Sequence, residues 1–415
     1  MSQGPEEPST LVHRRLDRTQ LALLLVAFWV GFNLRAPILG VPPVLALVRR
    51  SDHLSYAVAG LVSAVPILAL GLAALPGAAL VRRLGAFKVV AIGLAVAAVG
   101  ELARALPGGV ATLLLATAVM GSGIAITQPG LPAALQRWFG PRVQLASVTL
   151  TLGITVGEVV AAGTTSSLVL RWLGSWQGTM AFWGVLGATC VPIWLLGVPR
   201  DRAGMAGETS WELRRLVLRW RPWAIYALFA GQSLVFFSAN TWIPISLGGG
   251  SHSGLVSWTL ATLNGVMVPV DVLLLVAGRT FATRRWFYVV SSAVTLAGAG
   301  GWLLAGQRVP ILCAALIGIG VAMTFAGLLA FPAMVVAPSR VAALAATMLT
   351  VGYASAFLGP LLGGVALDLG GGRSSPFIPI VAAATVMLAA ALVAPVGADP
   401  SGDAGRPAAT SIGAA

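Results

Sequence analysis

Charged and sulfur-containing side chains are scarce in this sequence. Only 9% of its 415 residues are charged and 57% are apolar, whereas about 25% of the residues of a typical soluble domain are charged. So few charges cannot cover the surface of a soluble chain of this length, which excludes a cytosolic enzyme. The two cysteines, Cys190 and Cys313, both lie in apolar runs, so we expect neither a disulfide framework nor a metal site.

Motifs for chemical catalysis are also missing. The three histidines, His13, His53 and His252, are scattered, and no Cys-His, Ser-His or metal-binding pattern accompanies them. The sequence has no G-x4-G-K-[ST] nucleotide loop, so ATP-driven transport is unsupported. We therefore expect no enzyme activity and no cofactor.

The net charge of +13 would suit a protein that binds nucleic acid. The basic residues, however, occur in short clusters between long apolar runs. That pattern is typical of a membrane protein with basic cytoplasmic loops. The expected partners are therefore a lipid bilayer and a small molecule, and no nucleic acid.

Long apolar runs are what the sequence has in abundance. A membrane-spanning helix needs about 20 mostly apolar residues, and twelve such runs predict an all-α integral membrane protein. The first run is much longer than the core of a signal peptide, so it is predicted to be a retained span. The predicted spans are 20–48, 54–80, 86–106, 109–136, 143–170, 177–198, 222–247, 254–278, 285–306, 309–336, 341–367 and 376–396.

The positions of the basic residues predict the orientation of the chain. With a cytoplasmic N-terminus, 19 of the 26 Lys and Arg residues face the cytoplasm, six face outside, and Arg35 lies within a span. Both termini are therefore predicted to be cytoplasmic, in a bacterial-type cytoplasmic (inner) membrane. The six outside residues are Arg49, Arg50, Arg104, Arg171, Arg308 and Arg373.

The longest connection between spans divides the chain into two halves. We predict a cytoplasmic segment over 1–19, a six-helix half over 20–198, a linker over 199–221, a second six-helix half over 222–396 and a disordered cytoplasmic tail over 397–415. An internal repeat supports the division, because 121–133 and 318–330 are identical at seven of 13 positions. Two similar six-helix halves favour alternating access over a channel and are typical of major facilitator transporters.

Several motifs resemble those of the cyanate and 2-nitroimidazole porter family, within the major facilitator superfamily. The stretch Asn33-Leu34-Arg35-Ala36-Pro37 is similar to the family's N-L-R-P signature. In the second half, Phe237, Trp242 and Pro244 fall on its Y-x4-W-L-P pattern, and 351–363 with Asp368 fall on its GY...GPLLxG...D pattern. The similarity covers roughly residues 20 to 395.

The resemblance implies a fold of twelve transmembrane helices and transport of a small polar, anionic or heteroaromatic molecule. Two departures from the patterns bear on function. Phe237 stands where the family commonly has Tyr, which removes a hydroxyl from the expected cavity. The loop after the second span, 82–85, lacks the acidic residue that the superfamily usually has there.

Charged residues inside the predicted spans are the leading candidates for function. Arg35 lies near the middle of the first span, where an arginine costs roughly 2.5 to 3.5 kcal/mol and must face a cavity or a partner. It would anchor an anionic or planar ligand or form an ion pair with Glu158. Glu158 would couple transport to protons or substrate, or only pair with Arg35. Asp271 would stabilise a gate through a salt bridge, form another structural charge pair or take part in coupling. Asp368 is expected to be an interfacial or turn residue.

Polar and aromatic residues of the spans complete the candidate site. Gln128 and Asn240 lie where helices are expected to be irregular, and each would contact substrate or form an interhelical hydrogen bond. Phe32 and Tyr353 would supply aromatic walls. The predicted substrate-binding residues are Arg35, Asn33, Phe32, Asn240, Trp242, Tyr353 and Gln128, with Glu158 and Asp271 as coupling or charge-pair residues.

These features favour a secondary active transporter that works as a monomer, with or without coupling to protons. Two other functions remain open. One is an efflux antiporter of the same fold, and the other is a membrane sensor that binds the small molecule without transporting it.

The predicted topology can be tested by labelling single cysteines in intact cells. Cysteines replacing Ser210 and Ser401 should be protected from an impermeant maleimide, and a cysteine replacing Ser251 should react. Reaction at position 210 without permeabilisation would contradict the orientation.

Overall fold

The computed structural model describes residues 17–200, 223–248, 253–277, 281, 284–305, 307–331 and 338–394. All regular secondary structure within these ranges is helical. The predicted N-terminal segment, linker and tail lie wholly or largely outside them, as do the labelling positions 210, 251 and 401.

Helical segments occupy each of the twelve predicted spans. Among the described residues, eight segments are long and apolar enough to cross a membrane. The helices are α1 Arg18–Leu39, α2 Leu45–Ser51, α3 Tyr56–Leu84, α4 Ala86–Ala103, α5 Gly109–Thr127, α6 Gly130–Phe139, α7 Val143–Thr164, α8 Leu170–Leu173, α9 Trp176–Ala188, α10 Cys190–Gly197, α11 Trp223–Ser246, α12 Ser253–Gly265, α13 Met267–Ala277, α14 Arg285–Ala305, α15 Pro310–Ala330, α16 Pro338–Asp368 and α17 Phe377–Val393.

Some predicted spans are interrupted. The span 109–136 divides at Gln128 and Pro129 into α5 and α6, as expected from proline's missing N–H. The expected irregularity at Asn240 is wrong, because α11 is continuous there. The Asn240 side chain donates a hydrogen bond to the carbonyl of Phe236 in its own helix, so its amide needs no break in the helix.

Glycine contacts repeat between the two sets of helices, which supports the internal repeat. Gly121 in α5 packs against the backbone of Pro66 in α3, and Gly318 in α15 packs against the backbone of Leu263 in α12. A Cβ at either glycine would collide with that backbone. The fourth span of each half therefore lies against the second span of the same half, as parallel repeats require.

The two sets of helices meet mainly through α3 with α16 and α7 with α12. The helices α3 and α16 run antiparallel, since Gly60 lies against Pro360 while Gly71 lies against Tyr353. At the end of this seam, Asp368 accepts hydrogen bonds from the backbone N–H groups of Tyr56 at 2.9 Å and Ala57 at 2.8 Å. Asp368 is thus an exposed helix-end residue that caps a helix of the other half.

Arg104, one of the six basic residues predicted to lie on the outside, has a buried side chain. It stands at the end of α4, but its side chain is only 1% exposed. Both terminal nitrogens donate to the carbonyl of Pro37 at 3.2 Å, which replaces the water that a loop arginine would have.

The capping contact of Asp368 can be tested by removing one of its two acceptors. Asparagine has a single acceptor oxygen and the contact is exposed to water, so Asp368→Asn should lower the free energy of unfolding by about 0.5 to 1.5 kcal/mol. Asp17→Asn is the matched control, because Asp17 accepts through one oxygen from Gln20 in its own helix and asparagine caps helices equally well. Thermal melting of the two purified variants measures their stabilities. Equal melting temperatures would contradict the capping role of Asp368.

Candidate substrate site

Close packing of α1 against α7 builds the candidate site. This pair has the most extensive contact of any two helices in the described structure. Gly153 packs against the carbonyl of Phe28, and Gly157 packs against the carbonyl of Phe32. Larger residues at 153 and 157 would push the helices apart, so the small-xxx-small spacing determines how near their side chains come.

Arg35 and Glu158 form an ion pair across this seam. The Nε atom of Arg35 lies 3.5 Å from Oε1 of Glu158, and the two side chains are 14% and 8% exposed. The pairing that the sequence left open is therefore present in this conformation. With so little water around them, each charge depends on the other and on nearby dipoles.

Aromatic residues of the second half complete the surroundings of Arg35. Its guanidinium carbon lies 5.8 Å from the centre of the Phe237 ring, within the range of a cation–π contact. Tyr353 of α16 interacts electrostatically with Arg35. Asp271 of α13 lies close enough to Glu158 for the two like charges to repel each other. Groups from both halves thus meet at the charged pair.

Two buried polar atoms of α1, on different faces of the helix, have no hydrogen-bond partner. They are Nη1 of Arg35 and Oδ1 of Asn33. The Nδ2 atom of Asn33 donates to the carbonyl of Trp29 at 2.9 Å. Phe32 stacks on Trp29 with 5.5 Å between ring centres. A donor is therefore left over at the charged pair. The Asn33 side chain lies on another face of α1, where it shares the Trp29 carbonyl with Cys190 of α10.

The other predicted site residues have structural partners. The Oδ1 atom of Asn240 accepts from Asn264 at 2.9 Å. The indole of Trp242 is fully buried and donates to the carbonyl of Pro360. Gln128 is half-buried at the break between α5 and α6. Their contact with substrate stays a prediction, and the contacts observed fit an interhelical role for Asn240 and Trp242.

Sequence reasoning missed a second buried charge cluster. Glu101 and Arg104 on α4 are each 1% exposed, and their charges interact. The signal was opposite charges three residues apart near the end of an apolar run, a spacing that puts both on one face of a helix. Arg104 was counted only for the orientation of the chain, so its pairing with Glu101 was not considered.

An apolar groove of about 390 Å³ lies elsewhere, between α11, α16 and α17. Its walls include Tyr226, Leu234 and Val386 and no charged side chain. A polar or anionic ligand would lose its hydration there without compensation, so the groove is not the candidate substrate site.

Comparison with known proteins identifies the family. Residues 21–307 match the family model of the Major Facilitator Superfamily. The chain is 27% identical to the uncharacterized transporter YycB of Bacillus subtilis (strain 168) over 89% of this chain and 92% of the relative. It is 28% identical to the cyanate transport protein CynX of Escherichia coli (strain K12), over 73% and 78% of the two chains. The 2-nitroimidazole transporter of the same organism is also 28% identical, over 61% and 66%.

Solved structures agree with this assignment at the level of the fold. A bacterial homologue of the human lysosomal transporter Spinster, in an inward-facing and unoccupied conformation, superposes with a TM-score of 0.73. The match covers 91% of this chain and 96% of that one at 16% identity. The predicted fold class and the predicted resemblance are both confirmed: this multi-pass membrane protein belongs to the Major Facilitator Superfamily and is a secondary transporter.

Proposed function

We propose that this transporter moves a small anion, or a planar polar molecule, by alternating access, with Arg35 as the anchor for its substrate. The observation that carries the proposal is the unpartnered Nη1 atom of Arg35, at a place where both halves contribute side chains. An arginine that served only to neutralise Glu158 would have no need of a free donor. A free buried donor is costly until something accepts its hydrogen bond.

The shape of the guanidinium limits the class of substrate. It is planar and offers its donors in a fork that matches a carboxylate-like or planar acceptor. The Phe237 ring and the stacked pair Phe32 and Trp29 would border such a ligand with apolar surface.

The named relatives support the same class. One is described as a cyanate transport protein and another as a 2-nitroimidazole transporter. Cyanate is a small anion and 2-nitroimidazole is a planar heteroaromatic ring, so both offer acceptor atoms to a guanidinium. The shared chemistry, rather than either compound, is what we carry over to this chain.

Glu158 is the proposed coupling residue. In the described conformation, Arg35 pairs with Glu158. A substrate anion that binds Arg35 would compete with Glu158 for the guanidinium and leave the carboxylate buried without a partner. A buried carboxylate that loses its cation favours the protonated form, so substrate binding would draw in a proton.

The remaining features of the proposal concern setting and direction. The excess of basic residues in the predicted cytoplasmic segments supports cytoplasmic termini. Symport with protons would make the protein an importer, and exchange against protons would make it an exporter.

A ligand screen tests the substrate class directly. The purified protein should be melted in the presence of cyanate, other small anions, 2-nitroimidazole and neutral sugars. A ligand that binds the folded state at 100 times its Kd raises stability by about 2.7 kcal/mol. We expect shifts with members of the first three groups, and a response to sugars alone would contradict the proposal.

Arg35 should be indispensable for binding. Truncating one partner of a buried, hydrogen-bonded charge pair costs about 2 kcal/mol or more, so Arg35→Ala should weaken binding at least roughly thirtyfold. Arg35→Lys should also fail, because an ammonium cannot reproduce planar contact. Arg50→Ala is the control, since Arg50 is an exposed arginine of α2. Binding is measured by thermal melting and transport by uptake into proteoliposomes. An Arg35→Lys variant that behaved like the wild type in both would contradict the proposal.

Glu158→Gln should separate exchange from coupling. Glutamine keeps the shape of the side chain but cannot titrate, so the variant should still exchange substrate between the two sides of a vesicle. Net transport should no longer accelerate when a pH gradient is imposed. Asp52→Asn, which removes a carboxylate outside the site at the end of α2, should keep the wild-type response. A wild-type protein that ignores the gradient would refute proton coupling through Glu158.

A further inference from the structure

Helix α1 bends just after the residue that carries the proposed substrate anchor. It ends at Leu39, and a turn of 3-10 helix over Pro42–Val44 leads into α2. The N–H of Val41 would normally bond to the carbonyl of Pro37, four residues earlier. It donates instead to Ile38. The bend therefore leaves the Pro37 carbonyl without its helical partner, two residues from Arg35.

Arg104 supplies that carbonyl with donors. Its two terminal nitrogens each lie 3.2 Å from the Pro37 oxygen, and the side chain is 1% exposed. A carbonyl in this position would otherwise be a costly unpaired group. The end of a helix also carries partial negative charge, which a cation stabilises. Arg104 thus meets two needs of the last turn of α1.

Glu101 is the neighbouring counter-charge on α4. Its side chain is 1% exposed and its Oε2 atom has no hydrogen-bond partner. The carboxylate lies against Gly187 of α9, where an added Cβ would collide with it. The Nε atom of Arg104 also lacks a partner. Arg104 therefore donates its hydrogen bonds to the Pro37 carbonyl at the helix bend and not to the nearby carboxylate of Glu101.

The other side of the bend is held by α9. A Cβ at Gly40 would lie 2.9 Å from Nε1 of Trp183. The same indole donates to Oγ1 of Thr165 at 3.0 Å, in the π-helical turn that follows α7. The bend is thus held between α4 and α9, and one of these contacts reaches the helix that carries Glu158.

We infer that Arg104 is a positioning residue of the substrate site, acting through the Pro37 carbonyl on the direction of Arg35. The inference rests on the proposed role of Arg35 and adds a residue that does not touch the substrate. Its effect should be large, because misplacing a binding group by about 1 Å can cost up to a hundredfold in rate.

Two variants separate positioning from charge neutralisation. Arg104→Lys keeps the charge beside Glu101 and one set of donors for Pro37. The double variant Glu101→Gln with Arg104→Met removes both charges together, so no buried ion is left unpaired, and replacements of this kind usually fold. The second variant removes the donor to Pro37 and the first does not.

Hydrogen exchange provides a readout that needs no substrate. Peptides covering 36–46 should exchange at least about tenfold faster in the double variant than in the wild type, because the bend has lost a hydrogen bond to a charged group. Arg104→Lys should stay close to the wild type. Equal exchange in all three proteins, or a double variant that does not fold while Arg104→Lys does, would overturn the inference.

Uptake of radiolabelled cyanate into proteoliposomes tests the consequence for function. The double variant should raise KM at least about tenfold while Arg104→Lys remains within about threefold of the wild type. A wild-type KM in the double variant would reduce Arg104 to the counter-ion of Glu101. Arg35→Ala, measured in parallel, tells the two failures apart. Normal transport by Arg35→Ala would overturn the proposed function. The hydrogen-exchange comparison would still show whether Arg104 holds the bend of α1.

Discussion

Water is nearly absent around Arg35 and Glu158, and the rest of the site depends on how their charges are kept satisfied there. Each of the two ions would cost several kcal/mol if left alone in such a place. Their contact at 3.5 Å offsets part of this cost. It does not satisfy every hydrogen-bonding group, since one nitrogen of Arg35 remains unpartnered. A site that is stable but incompletely satisfied is suited to a ligand that must bind and then leave.

The distance between the two charges is controlled by residues that carry no charge. Gly153 and Gly157 let α7 approach the carbonyls of α1, and this approach places Glu158 within reach of Arg35. Arg104 and Trp183 act on the other end of α1, where the helix bends. The position of a single guanidinium thus depends on contacts with three other helices. A conformational change that moves α4 or α9 against α1 would reach the substrate site by this route.

Much of the fold could be predicted from the sequence, because long apolar runs and basic loops are local signals. The helical segments and the repeat follow from composition and spacing, whereas the pairing of Arg35 with Glu158 was one of two alternatives that the sequence left open. The partners of Arg104 and Asp368 could not be predicted in this way. Each contacts a backbone group, and backbone carbonyls and N–H groups look the same at every position of a sequence. For the same reason Trp242, expected at the substrate, could not be foreseen as a donor to the Pro360 carbonyl.

The contact of Asp368 with the first amides of α3 is exposed to water, and this exposure sets the energetic scale of opening that end of the molecule. When the helices separate, water replaces both partners, so the loss is on the order of 1 to 2 kcal/mol instead of the larger penalty for stranding buried groups. Such a difference corresponds to roughly a five- to thirtyfold bias between closed and open populations. The differential affinity of one modest ligand can reverse a bias of that size. The Asp368 contact is therefore a small part of what holds the two halves together, and it opposes their separation only weakly.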